Sequence, residues 1–407
     1  MDGAQGHTPR WLGGLPAPAA EFAGHPEFNF VGGHVDADCV PVEALREAAA
    51  AAIAEEGGDL AMYNPTGGKG HAGCRRMVAE MLTRRTGMPC DPEEVLIVSG
   101  SLQALDLVNR ALVGPGDAVP CELENYGGAL TRIRARGAEP VGVRTDAHGM
   151  VPEALEETLT RLGREGRRVS YVYLIPTVQN PTGTVMPEER RKEILEIAAR
   201  HDVTLFEDDC YADLVFAGGR PKAIRALDPD GRTIYCGTFS KQIAPGLRLG
   251  FLVADRPALA QLLALKSDAG TPAIEQMTLA RMGPMFDAHC EAVQKRLGEK
   301  CAVICEALDA EFGAAAEYRR PDGGIFVWAT LPAPVDTTRL AQVAAAEGVA
   351  INPGAEWCAD AEHGRRSLRL CFANPSEETI RAGVAKLAEI CRREFGLPER
   401  SANVSRV

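Results

Sequence analysis

The sequence lacks the motifs that mark several protein classes. Its twelve cysteines include no Cys-x-x-Cys pair and its eight histidines no His-Glu-x-x-His motif, so we expect neither a disulfide framework nor a metal site. No apolar run reaches the length of a membrane-spanning helix. The segment Met1–Phe22 lacks the basic start and apolar centre of a secretory signal. Reduced cysteines and the missing signal predict a cytoplasmic protein.

Positive charge is also scarce. The 407 residues carry 44 Lys and Arg against 56 Asp and Glu, which gives a formal net charge of −12. Nucleic acids and anionic membranes bind to basic faces, so we expect neither as a partner. The 45% hydrophobic content supports a large core and, at this length, two domains. An anionic ligand must therefore be bound by a local cluster of cations.

Between about residues 90 and 255, short apolar runs alternate with longer amphipathic stretches. This alternation predicts an α/β fold with a mainly parallel, seven-stranded sheet between helices. The predicted strands are Glu94–Val98, Ala118–Cys121, Pro140–Val143, Val169–Ile175, Val203–Asp208, Thr233–Gly237 and Leu249–Ala254. The predicted helices between them include Ser101–Leu112, Tyr126–Arg136, Pro152–Leu162 and Pro187–His201.

After Pro257 the periodicity is helical through Phe312, and the pattern of a smaller α/β domain follows. The predicted elements of that domain are the strands Gly324–Pro332, Val349–Asn352 and Ser367–Ala373 and the helices Thr338–Glu347 and Glu377–Phe395. We expect three parts: an N-terminal segment (1–50) that joins the small domain, a large ligand-binding domain (51–290) and a small C-terminal domain (291–407).

One lysine lies in a segment suited to covalent chemistry beside a phosphate. Lys241 follows Thr238 and Ser240, and Arg248 comes seven residues later. Hydroxyls and a guanidinium together suit a phosphate dianion, while burial and a neighbouring cation make a lysine amine nucleophilic. The alternative is an ordinary loop lysine beside a buried strand.

Three further segments place polar groups at strand ends, where open α/β sheets bind their ligands. The segment 98–104 leaves a strand and opens a helix, whose free N–H groups suit an anion, although an ordinary serine N-cap has the same pattern. Asn180 is either a turn former or a ligand contact. Asp208 is either a solvated acid or a buried carboxylate that needs a cationic partner, such as a protonated pyridine nitrogen.

In their order along the chain, these motifs resemble the fold-type I pyridoxal-phosphate (PLP) enzymes, specifically the class I/II aminotransferases and their 2-aminoadipate aminotransferase-like subgroup. The resemblance runs from Gly32-Gly33 to the C-terminal helix. It implies the PLP transferase fold and an aminotransferase that moves the amino group of a 2-amino acid to a 2-oxo acid by a ping-pong mechanism. It also implies a homodimer with shared active sites.

The resemblance assigns roles to residues of this chain. Lys241 would form the Schiff base with PLP and carry the proton, Asp208 would pair with the pyridine nitrogen, and Tyr126 would stack on the ring. Asn180 and Tyr211 would bind the phenolic oxygen of the cofactor. The phosphate would be bound by Gly100, Ser101, Leu102, Thr238, Ser240 and Arg248, and by Tyr63 of the neighbouring subunit.

The resemblance also marks the substrate site. Arg369 would bind the substrate α-carboxylate, with Asn180 and Gly33 beside the substrate. The glycine-rich loop at residues 67–73, which contains Lys69, departs from the family pattern and leaves the substrate side chain open. Its Gly-x-Gly-x-x-Gly spacing is not expected to bind a dinucleotide, because no strand is predicted before it.

Two alternative functions remain open. The cofactor motifs would equally serve a PLP-dependent lyase or decarboxylase on the same fold. A PLP-binding metabolite sensor of a transcriptional regulator is less favoured, because the short segment before Gly32 carries little positive charge and is too short for a DNA-binding domain.

Overall fold

The computed structural model describes residues 21, 24–216 and 218–397. Most of the segment considered for a secretory signal, and the last ten residues of the predicted small domain, lie outside the described residues. The described helices are α1 Val42–Glu56, α2 Ala72–Thr86, α3 Ser101–Leu112, α4 Gly127–Ala135, α5 Pro152–Arg164, α6 Glu188–Arg200, α7 Ile224–Leu227, α8 Arg256–Leu265, α9 Ala273–Ala280, α10 Gly283–Glu311, α11 Thr337–Ala346 and α12 Glu377–Phe395.

The described strands form two larger sheets and two short pairs. They are β1 Phe28–Asn29, β2 Val95–Val98, β3 Ala118–Glu122, β4 Glu139–Val143, β5 Thr145–Asp146, β6 Gly149–Met150, β7 Val172–Leu174, β8 Leu205–Asp208, β9 Thr233–Thr238, β10 Gly250–Val253, β11 Glu317–Tyr318, β12 Phe326–Thr330, β13 Val349–Ala350, β14 Asn352–Pro353 and β15 Ser367–Cys371.

The larger sheet has seven strands in the order β2-β10-β9-β8-β7-β3-β4. Six strands run parallel, and β10 is antiparallel to both of its neighbours. Its central strands are buried along their whole length, as expected of a parallel sheet with helices on both faces. The prediction of a mainly parallel, seven-stranded α/β sheet is confirmed.

The second sheet has the strand order β11-β12-β15-β14 and packs against the C-terminal helices. Helix α12 begins after Ser376, whose hydroxyl caps the helix by accepting a hydrogen bond from the backbone of Thr379. Apolar residues of α12 recur at helical spacing and are fully buried, among them Ile380, Val384 and Leu387. Burying each such side chain contributes about 1.5–3 kcal/mol to folding.

The N-terminal segment reaches this second sheet. Strand β1 pairs in parallel with β13, and Phe30 is fully buried in the same hydrophobic cluster as β12 and α12. The chain then passes Gly33 and enters α1. Residues near the start of the described chain therefore lie beside residues near its end.

Two local predictions differ from the structure. The long helical stretch after Pro257 is three helices, α8, α9 and α10. The chain leaves the helical conformation between α8 and α9 around Gly270, which has φ +122°, and Pro284 in the first turn of α10 disfavours a continuous helix from α9. The single strand predicted at Val349–Asn352 is two short strands with different partners, β13 and β14. Among the described helices, none has both the length and the hydrophobicity needed to cross a bilayer.

Candidate active site

A cavity of about 350 Å³ opens at the carboxyl ends of the parallel strands. Twelve residues predicted for the site line it: Gly33, Ser101, Leu102, Tyr126, Asn180, Asp208, Tyr211, Thr238, Ser240, Lys241, Arg248 and Arg369. Gly100 lies just behind its wall, at the start of α3. Tyr63 does not line the cavity and is 87% exposed.

Lys241 follows β9 and extends into the cavity. Its Nζ atom donates a 2.7 Å hydrogen bond to the backbone carbonyl of Gly33 and lies 5.8 Å from the centre of the Tyr211 ring. Removal from water lowers the pKa of Lys241 below its ordinary 10.5, and the positive charges of Arg369 and Arg248 act in the same direction. The amine is therefore easier to deprotonate than that of a surface lysine.

Asp208 ends β8 and is buried. Its Oδ2 atom accepts a 2.6 Å hydrogen bond from the hydroxyl of Tyr173, whereas its Oδ1 atom has no hydrogen-bond partner among the described residues. Burial raises the pKa of Asp208 above its ordinary value of 3.8. A buried carboxylate oxygen without a donor is costly, so this oxygen is available to a ligand that brings a hydrogen-bond donor.

The start of α3 and the loop after β9 form an anion cradle. Gly100 begins the helix with φ +84°, and a Cβ atom there would lie 2.6 Å from Arg248 Nη2. The Thr238 hydroxyl donates a 3.0 Å hydrogen bond to that of Ser240, and both residues line the cavity together with Ser101 and Leu102 of the helix N-terminus, whose first N–H groups have no partner within the helix. The cradle therefore combines a helix N-terminus, hydroxyls and a guanidinium.

Arg248 is held in an uncommon backbone conformation. Its φ of 54° and ψ of 40° lie in the left-handed region, which few non-glycine residues adopt. Its guanidinium donates to the carbonyls of Pro245 and Ser99 and forms no ion pair with a described acid. Its positive charge is therefore available to an anion in the cradle.

Arg369 lies on β15 at the opposite wall and is only 3% exposed. It donates to Asn180 Oδ1 at 3.1 Å and to the carbonyl of Gly32 at 3.2 Å, and its Nε atom has no partner among the described residues. No described acid pairs with it, and burial lowers its pKa to about 10. This guanidinium is a buried cation without an anion.

Two aromatic side chains that the sequence analysis missed hold Arg369 in place. The centres of the Trp357 and Phe326 rings lie 3.5 and 3.9 Å from the guanidinium carbon. Such stacking favours a guanidinium over an ammonium at this position. Trp357 ends a short 3-10 helix, Gly354–Trp357, that follows β14, and its only signal in the sequence was the rarity of tryptophan, with three in the chain.

Tyr126 and Tyr211 complete the aromatic lining. Tyr126 stands directly before α4, and its ring centre is 5.8 Å from that of Trp357. Tyr211 packs edge-on against Phe326 at 5.6 Å. Burial raises the pKa of both phenols, so both stay protonated and can donate hydrogen bonds at neutral pH.

One buried cluster could ligate a metal by geometry. Single ligand atoms of Asp208, Cys210 and Cys236 lie within 4.8 Å of one another. The hydrogen bond to Cys236, together with burial, raises the pKa of the Cys210 thiol. The same hydrogen bond lowers the pKa of Cys236, but burial and the neighbouring carboxylates together outweigh it, so that this pKa is also raised. The raised pKa values disfavour the thiolate form that binds metals. That the site needs no metal stays a prediction.

The sequence profile of aminotransferase class I and II matches residues 33–387. The chain belongs to this family. This aminotransferase is 35% identical to aromatic-amino-acid aminotransferase 1 of Thermococcus litoralis, over 94% of its own length and 88% of that protein. It is 36% identical to 2-aminoadipate transaminase of Thermus thermophilus, over 88% of each chain.

A solved structure agrees with these relatives. The α-aminoadipate aminotransferase LysN of Thermus thermophilus, complexed with N-(5'-phosphopyridoxyl)-L-leucine, superposes with a TM-score of 0.84 at 35% identity. The match covers 91% of this aminotransferase and 93% of that chain. The protein is therefore a PLP-dependent aminotransferase of fold type I that acts on amino acids and 2-oxo acids. The predicted family, fold, cofactor and reaction are confirmed.

The cavity of this aminotransferase fits PLP by its own chemistry. The cradle at α3 suits a phosphate dianion, because it combines helix N–H groups, hydroxyls and Arg248. The unpartnered Oδ1 atom of Asp208 suits a protonated ring nitrogen. The lowered pKa of Lys241 suits an amine that must react with an aldehyde.

Proposed function

We propose that this aminotransferase moves the amino group of a 2-amino acid to a 2-oxo acid in two half-reactions at this cavity, with Lys241, Asp208 and Arg369 as its central residues. The observation that carries the proposal is the buried Arg369, which has no acidic partner among the described residues. An unpaired buried cation is costly, and a substrate α-carboxylate would supply the missing anion through two parallel hydrogen bonds.

PLP, when bound, withdraws electrons from the substrate α-carbon and so makes its proton acidic. Asp208 would accept a hydrogen bond from the pyridine nitrogen and keep it protonated, while Tyr126 would cover one face of the ring. Asn180 and Tyr211 would bind the phenolic oxygen. The phosphate would be held by Ser101 and the backbone at Gly100 and Leu102, together with Thr238, Ser240 and Arg248.

Lys241 would bind the cofactor covalently and then act as the proton carrier. Once its amine is free, it can take the proton from the substrate α-carbon and return it at the cofactor side. Burial and the nearby arginines favour the neutral amine that this base needs. Arg369 would orient the substrate through its carboxylate so that the α-proton faces Lys241.

We also propose that the active protein is a homodimer in which Tyr63 reaches the neighbouring site. The most exposed large hydrophobic side chains of the described chain all lie between residues 42 and 63: Val42, Ile53, Leu60, Met62 and Tyr63. Apolar side chains concentrated in one surface segment favour an interface. A second copy of the chain would cover this segment and bring Tyr63 to a partner's phosphate cradle.

Two wider assignments belong to the same proposal. The large domain would span 51–290 and the small domain 291–407, with residues 1–50 joining the small domain, as the pairing of β1 with β13 supports. We place the protein in the cytoplasm, because all twelve cysteines are free thiols and ten are buried.

We further propose that the preferred amino acids have apolar or aromatic side chains. The lining of the cavity contains three cations, Lys241, Arg248 and Arg369, and each already has a role. No fourth cation among the described lining residues would pair with a distal carboxylate. Val31, Phe326 and Trp357 offer apolar contact instead.

A substrate comparison tests this assignment. With pyruvate as a common acceptor, we expect kcat/KM for phenylalanine to exceed that for 2-aminoadipate by roughly tenfold or more, since an unpaired distal carboxylate must be desolvated. A preference for 2-aminoadipate would contradict the assignment. It would place a further cation in the site, from outside the described residues or from a partner.

A further inference from the structure

A second cavity, of about 380 Å³, lies between α3, α4 and the segment after α8, and it shares no lining residue with the active site. Its charged lining residues are the cations Arg110, Arg132, Arg136 and Lys266 and the acids Asp106 and Asp268. The cavity therefore carries a net charge of +2 in a chain whose net charge is −12. A local excess of cations of this kind attracts anions.

Two polar side chains at the cavity wall are buried. Asn109 is 1% exposed, its Oδ1 atom accepts a 2.6 Å hydrogen bond from the Tyr171 hydroxyl, and its Nδ2 atom has no partner among the described residues. The side chain of Lys266 is 2% exposed and pairs with Asp268 at 2.7 Å. A buried amide donor without an acceptor is unfavourable, and an oxygen of a bound anion would satisfy it.

The arginines are held by backbone carbonyls rather than neutralised by acids. Arg110 donates to Leu265 O at 2.8 Å and Arg136 to Val113 O at 3.4 Å, and neither forms an ion pair with a described acid. A guanidinium has five N–H donors, so each keeps donors for a ligand. Only Arg132 is paired, with Asp106 at 3.0 Å.

We propose that this cavity binds a small molecule through a phosphate group. Planar guanidiniums bind phosphate oxygens through paired hydrogen bonds, and the net charge of +2 matches a dianion. The unpartnered amide of Asn109 supplies a further donor. The volume exceeds what a single phosphate needs, so it leaves room for the organic part of a phosphate ester.

The site is linked to the active site through Gln103. Its Nε2 atom donates to Asp268 at 2.6 Å, and its Oε1 atom accepts from the backbone N–H of Ser99 at 2.7 Å, just before α3. The cavity is thus lined by the helix whose N-terminus forms the anion cradle, and Gln103 connects Asp268 at the cavity wall to Ser99 beside that N-terminus.

Calorimetric titration of the PLP-loaded enzyme tests the proposal, because bound PLP keeps the active-site cradle filled. The probes are glycerol 3-phosphate and inorganic phosphate, and the variant is Arg110→Ala/Arg136→Ala, with exposed Arg164→Ala as the matched control. We expect wild type and control to bind equally and the double variant to bind at least roughly tenfold more weakly, with unchanged transamination. Tighter binding of the ester than of phosphate would show that the rest of the cavity takes part.

Absence of binding by both probes would overturn the proposal. Equal affinity of the double variant would do so as well. The charge-keeping Arg110→Lys/Arg136→Lys variant guards against a folding defect. This charge-keeping variant should bind with intermediate affinity. If it loses binding completely while its thermal stability equals that of wild type, the loss comes from the missing guanidiniums and not from misfolding.

Discussion

The Nζ atom of Lys241 donates a 2.7 Å hydrogen bond to the backbone carbonyl of Gly33, 208 residues earlier in the chain. Gly33 belongs to the segment between β1 and α1, whereas Lys241 follows β9 of the large sheet. The N-terminal segment thus positions the amine on which the proposed chemistry depends. A Cβ atom at residue 33 would lie only 2.8 Å from that amine.

Replacement of Gly33 by alanine should therefore impair catalysis more than folding. The backbone there does not need a positive φ, so alanine can adopt it, but the added methyl must displace Lys241 or narrow the space beside it. We expect kcat/KM to fall by about tenfold or more, with little change in thermal midpoint. Steady-state kinetics with one amino acid and pyruvate measures the effect.

Gly246→Ala is the matched control for that variant. Residue 246 follows Pro245, which lines the same cavity, yet a Cβ atom there meets nothing within 4 Å. This variant should keep wild-type kinetics. If both variants behaved alike, the contact between Gly33 and Lys241 would have no special role.

The buried Glu122 should make stability depend on pH. It ends β3 and is fully buried, and burial, with a smaller contribution from Asp208, raises its pKa from the ordinary 4.5 to about 8. The fold therefore favours the neutral acid. Its contribution to stability is fully present below about pH 4.5 and is lost as the pH rises through about 8.

Glu122→Gln removes this ionisation while keeping the shape of the side chain. The free energy of unfolding of the variant minus that of wild type should increase from pH 6 to pH 9 by on the order of 1 to 3 kcal/mol. Urea unfolding at both pH values measures it, with exposed Glu80→Gln on α2 as the control. Identical pH dependence in wild type and Glu122→Gln would show that Glu122 does not titrate in this range.

The proposed shared site can be tested by mixing two inactive variants. If Tyr63 acts on the partner's cofactor, a hybrid of Lys241→Ala and Tyr63→Ala subunits contains one site with both native residues. Random exchange of equal amounts should then restore about a quarter of wild-type activity. Each variant alone should remain poorly active.

A mass tag on one of the two variants, with the mixed dimers resolved by native mass spectrometry, provides the control for subunit exchange. Failure to regain activity in a sample that demonstrably forms hybrids would show that Tyr63 serves its own subunit or no active site.

The fold was largely predictable because its signals are local. Buried apolar runs mark the strands of the parallel sheet, and Ser376 with the apolar spacing after it defines α12 at the predicted residues Glu377–Phe395. The direction of a strand, by contrast, has no local signal in the sequence. Nothing in the residues of β10 distinguishes an antiparallel strand from its parallel neighbours, since both are equally apolar.

Site residues could be predicted where they lie together in one sequence motif. They could not be predicted from the residues where distant parts of the chain meet only after folding. Lys241, Ser240 and Arg248 lie in one segment, so their spacing suggests a phosphate site, and the polar motifs at other strand ends distinguish it from an ordinary loop lysine. Arg369 was chosen from the family resemblance, because a strand arginine looks the same whether or not it binds a ligand. Trp357 had no periodic or motif signal, and only the folded chain places it on that guanidinium.

One measurement tests the central assignment most directly. Purified enzyme loaded with PLP is mixed with phenylalanine and no 2-oxo acid, and the cofactor and products are then extracted and identified by mass spectrometry. Wild type should yield pyridoxamine phosphate and phenylpyruvate in equal amounts, up to one of each per site, whereas Lys241→Ala should leave its PLP unconverted. Conversion by Lys241→Ala at the wild-type rate, or release of carbon dioxide or ammonia in place of phenylpyruvate and pyridoxamine phosphate, would contradict the account.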